Sequence, residues 1–186
     1  SILEADESDG SFVHIAPTYS IITNIDREHM DFYKSMNDLK NYFIQFIEKA
    51  PSFGKVFICI DDKTNNELIK FIKNKNIITY GMNIKSNFWI KNIKQNINYS
   101  EFDLQINVPN KKKMILKKIK IPLLGIHNVK NSAAAAAVSM TIGISFSDIK
   151  EGLKSFKGVQ RRFNKIFSYN GIDFYDDYAH LSLIHI

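Results

Sequence analysis

The densest group of candidate metal ligands is the acidic run Glu4-Ala5-Asp6-Glu7-Ser8-Asp9-Gly10. Four carboxylates occur within six residues, directly after the apolar pair Ile2-Leu3, so the sequence predicts a strand that ends in an acidic loop. Carboxylates this close repel one another unless a cation lies between them, and Mg²⁺ together with a phosphate is the usual occupant. The alternative is a solvated acidic loop, a common surface feature.

A second polar segment follows the predicted strand Tyr19-Ser20-Ile21-Ile22-Thr23-Asn24 and runs to Asp31. Within it, His29 is a candidate metal ligand or catalytic base, and the alternative is a surface histidine flanked by carboxylates. Ligands of open α/β sheets bind beyond the carboxyl ends of the strands. Two acidic segments at strand ends of one sheet would therefore meet in one crevice, which favours a shared Mg²⁺–phosphate site.

The third segment is Gly125-Ile126-His127-Asn128-Val129-Lys130-Asn131-Ser132, which leads into an alanine-rich helix. Asn128 and Asn131 are three residues apart, so they share one face of its first turn. Two amides there suit the donor and acceptor edge of a purine. The alternative is that Asn128 caps the helix, which accounts for one asparagine and not for the other.

The fourth segment has two parts, Gly158-Val159-Gln160-Arg161-Arg162-Phe163 and Asp176-Asp177-Tyr178-Ala179-His180. Adjacent arginines before a strand suit a phosphate clamp. Carboxylates at a strand end suit a ribose hydroxyl. Ordinary surface charge is the alternative for either part.

The elements that must position these residues alternate between strands and helices over the first half of the chain. Apolar spacing predicts helices over Met36–Lys49 and Asn65–Lys73, and strands over Lys55–Ile60 and Asn76–Tyr80. This order is typical of an α/β fold with a mostly parallel sheet flanked by helices. The single cysteine, Cys59, falls in an apolar run and is interpreted as a core residue.

The second half begins with alternating apolar and polar residues, which predict strands within Phe88–Pro109 and Lys113–Pro122 and hence a small additional antiparallel β region. A helix over His127–Ile142 and another, capped by Ser147 and ending at Phe156, should follow. Two further strands, Phe163–Tyr169 and Ile172–Tyr175, come after the predicted boundary at Gly158. The expected organisation is one domain over residues 1–157 and the first strands of a second over 158–180.

Composition and the chain ends set further expectations. The net charge of +6 reflects 25 basic and 19 acidic residues among 186, mostly lysine. Nucleic-acid binding through the lysines at 111–113 and 117–118 is an alternative function, although no aromatic residues interleave with them.

No apolar run approaches the roughly 20 residues that span a bilayer, and no signal peptide is recognisable, so a cytosolic protein is expected. Residues 181–186 match a translated sequencing adapter and are interpreted as a scar.

The four segments, taken in this order, resemble the Mur ligase family of ATP-dependent peptidoglycan-precursor ligases. The acidic run, and Asn24-Ile25-Asp26 followed by His29-Met30-Asp31, are similar to the branch that adds L-alanine to UDP-N-acetylmuramate. The pattern Gly125-x-His127-Asn128-x-x-Asn131-x-Ala133 is shared across the family. The fourth segment resembles the entry to the family's Rossmann-like C-terminal domain, and the resemblance covers about residues 1–180.

The resemblance implies a role for each candidate residue, with ATP and Mg²⁺ as cofactors. Glu4 would bind a Mg²⁺ shared with the ATP phosphates, and His29 a second Mg²⁺ near the substrate carboxylate. Asn128 and Asn131 would hold adenine, and His127 would lie beside the base. Arg162 with Arg161 would reach the phosphates, and Asp177 would bind the ribose. His180 would lie near the reacting groups.

The implied substrates are UDP-N-acetylmuramate and L-alanine. The sugar carboxylate would attack the γ-phosphate of ATP to give an acyl phosphate, from which the alanine amine would displace phosphate through a tetrahedral intermediate. Both steps place negative charge on oxygens, which Mg²⁺ and arginine stabilise.

Departures from the family pattern set limits on the expected activity. The glycine-rich phosphate loop ending in Gly-Lys-Thr is absent and would lie upstream of Ser1. We therefore expect these residues alone to be inactive. Phe43 falls near the place where other branches carry a modified lysine, which favours the alanine-adding branch. The alternative within the family is the recycling ligase that attaches a murein tripeptide to the same sugar acid.

Overall fold

A computed structural model describes residues 1–73, 76–109, 112–159 and 164–176. Their main feature is a six-stranded sheet whose strands lie in chain order. Strands β1 to β4 pair in parallel, and β4 to β6 pair antiparallel. The strands are β1 (Tyr19–Ile22), β2 (Lys55–Cys59), β3 (Ile77–Gly81), β4 (Phe88–Gln95), β5 (Ser100–Ile106) and β6 (Met114–Ile121). The predicted α/β class is confirmed, and the antiparallel region continues the parallel sheet.

Within the described residues four α-helices accompany the sheet: α1 (Met36–Glu48), α2 (Lys63–Leu68), α3 (Ile126–Thr141) and α4 (Phe146–Ser155). Helix α2 begins two residues earlier than predicted, because the Asp62 carboxylate accepts a hydrogen bond from the Asn65 N–H and caps it. The prediction that Ser147 caps α4 is wrong. Ser145 has the extended backbone that a cap requires, and its hydroxyl accepts from the Asp148 N–H at 3.2 Å.

The helices cover both faces of the sheet, as predicted. Alternate residues of a strand point to opposite faces, so Val56 and Ile58 pack with α1 while Phe57 and Cys59 pack with α3. The alanines of α3 that contact the sheet are fully buried and allow a close approach of helix and strands. Cys59 is a core residue, and burial raises the pKa of its thiol. The described residues contain no helix long and apolar enough to cross a membrane.

The predicted strand before the acidic run does not form. Residues 1–7 have no regular secondary structure, and Ile2 and Leu3 are 101% and 71% exposed. Within the described residues β1 is an edge of the sheet. The free side of β1 has hydrogen-bonding groups to offer, but residues 1–7 do not pair with it, and the side chains of Ile2 and Leu3 are exposed and not packed on the core.

The last described residues form a separate hairpin of β7 (Asn164–Tyr169) and β8 (Ile172–Asp176), which confirms the two predicted strands. Its two-residue loop, Asn170-Gly171, has positive φ at both positions (48° and 77°), as a type I′ turn requires. The rings of Phe167 and Phe174 stack across the strands with centroids 4.4 Å apart. Assignment of the hairpin to a second domain stays a prediction.

Asp103, in the middle of β5, fixes irregularities in both neighbouring strands. Asn92 of β4 and Lys118 of β6 have left-handed backbones, with φ of 53° and 55°, where the pairing registers shift. The Asn92 amide and the Lys118 backbone N–H each donate to the Asp103 carboxylate at 2.8 Å. Partial burial raises the pKa of Asp103, but these donors and the nearby charges of Lys91 and Lys117 hold it below its usual range.

Replacing Asp103 with asparagine should lower the free energy of unfolding by about 1–2 kcal/mol, because an NH2 group replaces one of the two accepting oxygens and faces a donor. The lowered pKa means that Asp103 contributes stability above about pH 4, and that this contribution is lost as the pH falls further. Urea denaturation between pH 3 and pH 7 should show a smaller acid-induced loss for Asp103→Asn than for the wild type. Glu151→Gln, at an exposed position, is the control. If it reduced the acid-induced loss of stability as much as Asp103→Asn does, the assignment would be contradicted.

Candidate functional site

Three potential metal ligands from two separate segments meet at one end of the sheet. Ligand atoms of Glu7, Glu28 and His29 all lie within 4.8 Å of one another, and His29 Nε2 is 3.9 Å from Glu7 Oε1. Glu7 and His29 are partly buried, whereas Glu28 is exposed. Two carboxylates and an imidazole suit a divalent cation. The acidic run and the segment after β1 therefore meet, as the sequence predicted.

Local backbone geometry presents His29 to this cluster. His29 has a left-handed backbone, with φ of 55°, in the turn that follows β1. Its carbonyl accepts hydrogen bonds from the Phe32 and Tyr33 N–H groups, both at 3.0 Å, which closes the turn. A positive φ at a residue other than glycine costs free energy and persists where surrounding contacts enforce it.

The acidic run is held in place by Tyr33, which is completely buried. Its hydroxyl donates to the Glu7 carbonyl, and its ring packs edge-on against Phe32 and Tyr42. Burial, with a smaller effect of the Glu7 charge, raises the pKa of Tyr33 to about 12. Gly10 completes the packing, because its φ is 71° and a Cβ there would lie 2.7 Å from both Phe32 and Tyr42.

Tyr33→Phe should lower the free energy of unfolding by about 1 kcal/mol, since the Glu7 carbonyl loses its donor. The raised pKa adds a pH signature. The contribution of Tyr33 is fully present below pH 10 and is lost as the pH rises through about 12, because the unfolded chain ionises first. Urea denaturation from pH 8 to 11 should show less alkaline loss in the variant, and the exposed Tyr19→Phe is the control. Equal alkaline losses in Tyr33→Phe and the wild type would contradict this role.

Glu4 is not part of the cluster. It is exposed, and Glu7, three residues further on, is the carboxylate beside His29. The resemblance assigned metal binding to Glu4 and His29 and gave no individual role to Glu7 or Glu28. Their presence in the two acidic segments was the available signal. A role for Glu4 in metal binding stays a prediction.

A surface depression opens beside the cluster. Its polar wall contains Glu7, Asn24, Asp26, Glu28 and His29, and its apolar wall contains Leu39 and Phe43 of α1. Phe43 thus lines the same depression as the candidate ligands, and its correspondence to the modified lysine of other branches stays a prediction.

The first turn of α3 carries the asparagines predicted to bind a base. The helix begins after Gly125, which has φ of 92° and offers no side-chain cap. The Asn128 amide donates to the Leu124 carbonyl at 2.7 Å, so Asn128 does not cap the helix N–H groups. His127 and Asn131 are exposed. The capping alternative for Asn128 is therefore not observed.

Asn65, a residue that sequence reasoning did not select, links the ends of two parallel strands. It is completely buried in α2, and its amide donates to the Thr23 carbonyl after β1 at 3.1 Å and to the Cys59 carbonyl of β2 at 3.0 Å. Thr23 leads into the His29 turn, so Asn65 ties the start of that turn to the neighbouring strand. The signal was its position three residues before the inward-facing Leu68.

Four candidate residues lie outside the described part of the chain: Arg161, Arg162, Asp177 and His180. Their predicted roles with phosphates, ribose and the reacting groups stay predictions.

The two sequence comparisons give the same family. The family model described as the Mur ligase middle domain matches residues 2–139. The UDP-N-acetylmuramate–L-alanine ligase of Pelagibacter ubique is 68% identical over 179 residues, which is 96% of this chain and 39% of that protein. The protein of the same name from Rickettsia bellii is 44% identical over 181 residues, covering 96% of this chain and 38% of that protein.

Two solved structures share the fold. The UDP-N-acetylmuramate–alanine ligase of Thermotoga maritima has a TM-score of 0.75 and 25% identity over 95% of this chain and 38% of its own. MurF from Acinetobacter baumannii has a TM-score of 0.72 and 22% identity over 91% of this chain and 36% of its own. The chain thus spans about two fifths of the length of the curated relatives that it matches. Because the family model covers residues 2–139, the chain belongs to the Mur ligase family.

Proposed function

We propose that this chain is the central ATP-binding part of a ligase that joins L-alanine to the carboxylate of UDP-N-acetylmuramate in peptidoglycan precursor synthesis. The observation that carries the proposal is the 68% identity, along 96% of the chain, to the Pelagibacter ubique protein of that name. Under this proposal residues 1–157 form the central domain, residues 158–180 begin the C-terminal domain, and the enzyme works in the cytosol.

The cluster of Glu7, Glu28 and His29 fits a Mg²⁺ ion, since its carboxylates supply hard oxygen ligands. The resemblance adds Glu4 as a further ligand. When bound, Mg²⁺ would neutralise negative charge on phosphate and carboxylate oxygens. The contribution of the chain is to hold these ligands together before the substrates arrive, through the Tyr33 hydrogen bond to Glu7 and the closed turn at His29.

The remaining residues would bind the nucleotide. Asn128 and Asn131 would hold adenine with His127 beside it, and the exposure of His127 and Asn131 on the first turn of α3 leaves both accessible to a base. Arg161 and Arg162 would contact the phosphates, Asp177 the ribose, and His180 the reacting groups. Positive charge at the phosphates would stabilise the transfer of the γ-phosphoryl group to the sugar carboxylate and the later loss of phosphate from the acyl phosphate.

The test is a chimera in which this chain replaces the matching segment of the Pelagibacter ubique relative, so that the flanking segments are present. Purified chimera should release ADP from ATP over many turnovers only when UDP-N-acetylmuramate and L-alanine are both supplied. Preference for a murein tripeptide over L-alanine would move the protein to the recycling branch. Absence of ATP-dependent ligation with either amine donor would refute the proposal.

A further inference from the structure

Asp61 connects three elements beyond the carboxyl ends of the parallel strands, the end of the sheet where the candidate site lies. It lies two residues after the end of β2, and its carboxylate accepts hydrogen bonds from the Met82 and Asn83 N–H groups at 2.8 and 2.9 Å, just after β3. Its side chain is only 10% exposed. Gly81, with φ of 144°, permits this approach, because a Cβ there would lie 2.6 Å from the carboxylate.

The third element is helix α3, which reaches Asp61 through Lys130. Lys130 Nζ is 3.5 Å from Asp61 Oδ2, and the lysine side chain is 28% exposed. An ion pair this far removed from water is screened less than one on the open surface. Since two backbone N–H groups already fix the carboxylate, it offers Lys130 a rigid anchor.

Anchoring Lys130 has a geometric consequence for the side chains next to it. Successive helical residues are about 100° apart around the axis, so an anchor on Lys130 restrains the rotation of the turn that carries Asn128 and Asn131, together with the buried Val129 of the same turn. The helix start has no side-chain cap that would do this instead, since Gly125 occupies the cap position.

We propose that Lys130 and Asp61 are positioning residues that set the orientation of the first turn of α3 and thereby select the base of the bound nucleotide. This inference rests on the proposed function, in which Asn128 and Asn131 hold adenine. Neither Lys130 nor Asp61 touches the nucleotide; both act through the direction of the asparagine amides.

The experiment compares ATP with ITP, in which a carbonyl replaces the exocyclic amine of adenine. In the chimera, Lys130→Met keeps the side-chain length and removes the charge. We expect the ATP-to-ITP ratio of kcat/KM to fall about 5- to 10-fold, as the loss of roughly one well-aligned hydrogen bond would give. The kcat at saturating ATP should stay within about twofold of the wild type, and Lys130→Arg should restore most of the base preference.

Two controls separate positioning from a general loss of structure. Lys120→Met removes another lysine that pairs with a carboxylate, Glu101 at 3.7 Å, and should leave the ratio unchanged. Combining Lys130→Met with Asp61→Asn should cost no more base preference than the larger single effect, because the two act as a pair. A ratio unchanged by Lys130→Met, or equal losses for both nucleotides, would overturn the inference.

Direct calorimetric titration of the chimera with ATP and ITP keeps this test apart from the test of function. If the chimera binds ATP but performs no ligation, the proposed function fails while the binding ratios still decide the role of Lys130. If Lys130→Met binds the two nucleotides in the wild-type ratio, the positioning role fails while ligation stands. Failure to bind ATP at all would overturn both.

Discussion

His29→Ala in the chimeric ligase should lower the rate of ADP release that depends on alanine by roughly 100- to 1,000-fold, an effect typical of removing a group that stabilises transition-state charge. The reason is geometric. His29 Nε2 lies 3.9 Å from a Glu7 carboxylate oxygen, and the positive φ of His29 directs its side chain toward the cluster. Alanine removes one of the three candidate ligands and leaves only the carboxylates of Glu7 and Glu28.

The measurement is a coupled ADP assay at increasing Mg²⁺, with the exposed His14→Ala as the matched control. His14→Ala should retain the wild-type rate. The same assay separates the two glutamates, since geometry favours Glu7 and the family resemblance favours Glu4. Whichever of Glu7→Gln and Glu4→Gln raises the Mg²⁺ requirement more is the principal ligand. A near-normal rate for His29→Ala would remove His29 from the site.

The fold was predictable to the extent that residue patterns are local. Val56, Phe57, Ile58 and Cys59 read as one buried strand, and the structure distributes them over both faces. The strand predicted before Glu4 failed for a reason outside the local pattern. Ile2 and Leu3 have the composition of a strand, but whether a segment pairs and packs with the sheet depends on contacts with other segments, which a local pattern does not reveal.

The site was predictable in its segments and not in its contacts. The acidic run and the His29 segment were correctly expected to meet, although the strand expected before the acidic run does not form. That Glu7 rather than Glu4 lies beside His29 depends on the turn at Gly10 and on the hydrogen bond from Tyr33, twenty-six residues away. The contacts of Asp61 with Met82, Asn83 and Lys130 are likewise long-range, and no spacing rule along the chain reveals them.

Asn65 illustrates the same limit, and the largest stability effect is expected there. Asn65→Ala should lower the free energy of unfolding by about 2–3 kcal/mol, because two strand-end carbonyls lose a buried donor and a small cavity forms. The Asn65 oxygen has no partner among the described residues, so the amide is retained for its two donated bonds.

The control is Asn66→Ala, which makes the same change at the next, exposed position of α2 and isolates the small gain in helix propensity. Chemical denaturation gives the free energy of unfolding of both variants, and the difference between them measures the contribution of the Asn65 hydrogen bonds. Asn65→Asp should be at least as destabilising as Asn65→Ala, since it removes both donated bonds and buries a carboxylate beside two carbonyl oxygens. Equal stabilities of the Asn65→Ala and Asn66→Ala variants would contradict the link. Because Thr23 begins the turn that carries His29, loss of the Asn65 hydrogen bonds should also raise the Mg²⁺ requirement of the chimera. The packing of α2 would then affect the geometry of the site as well as the stability of the fold.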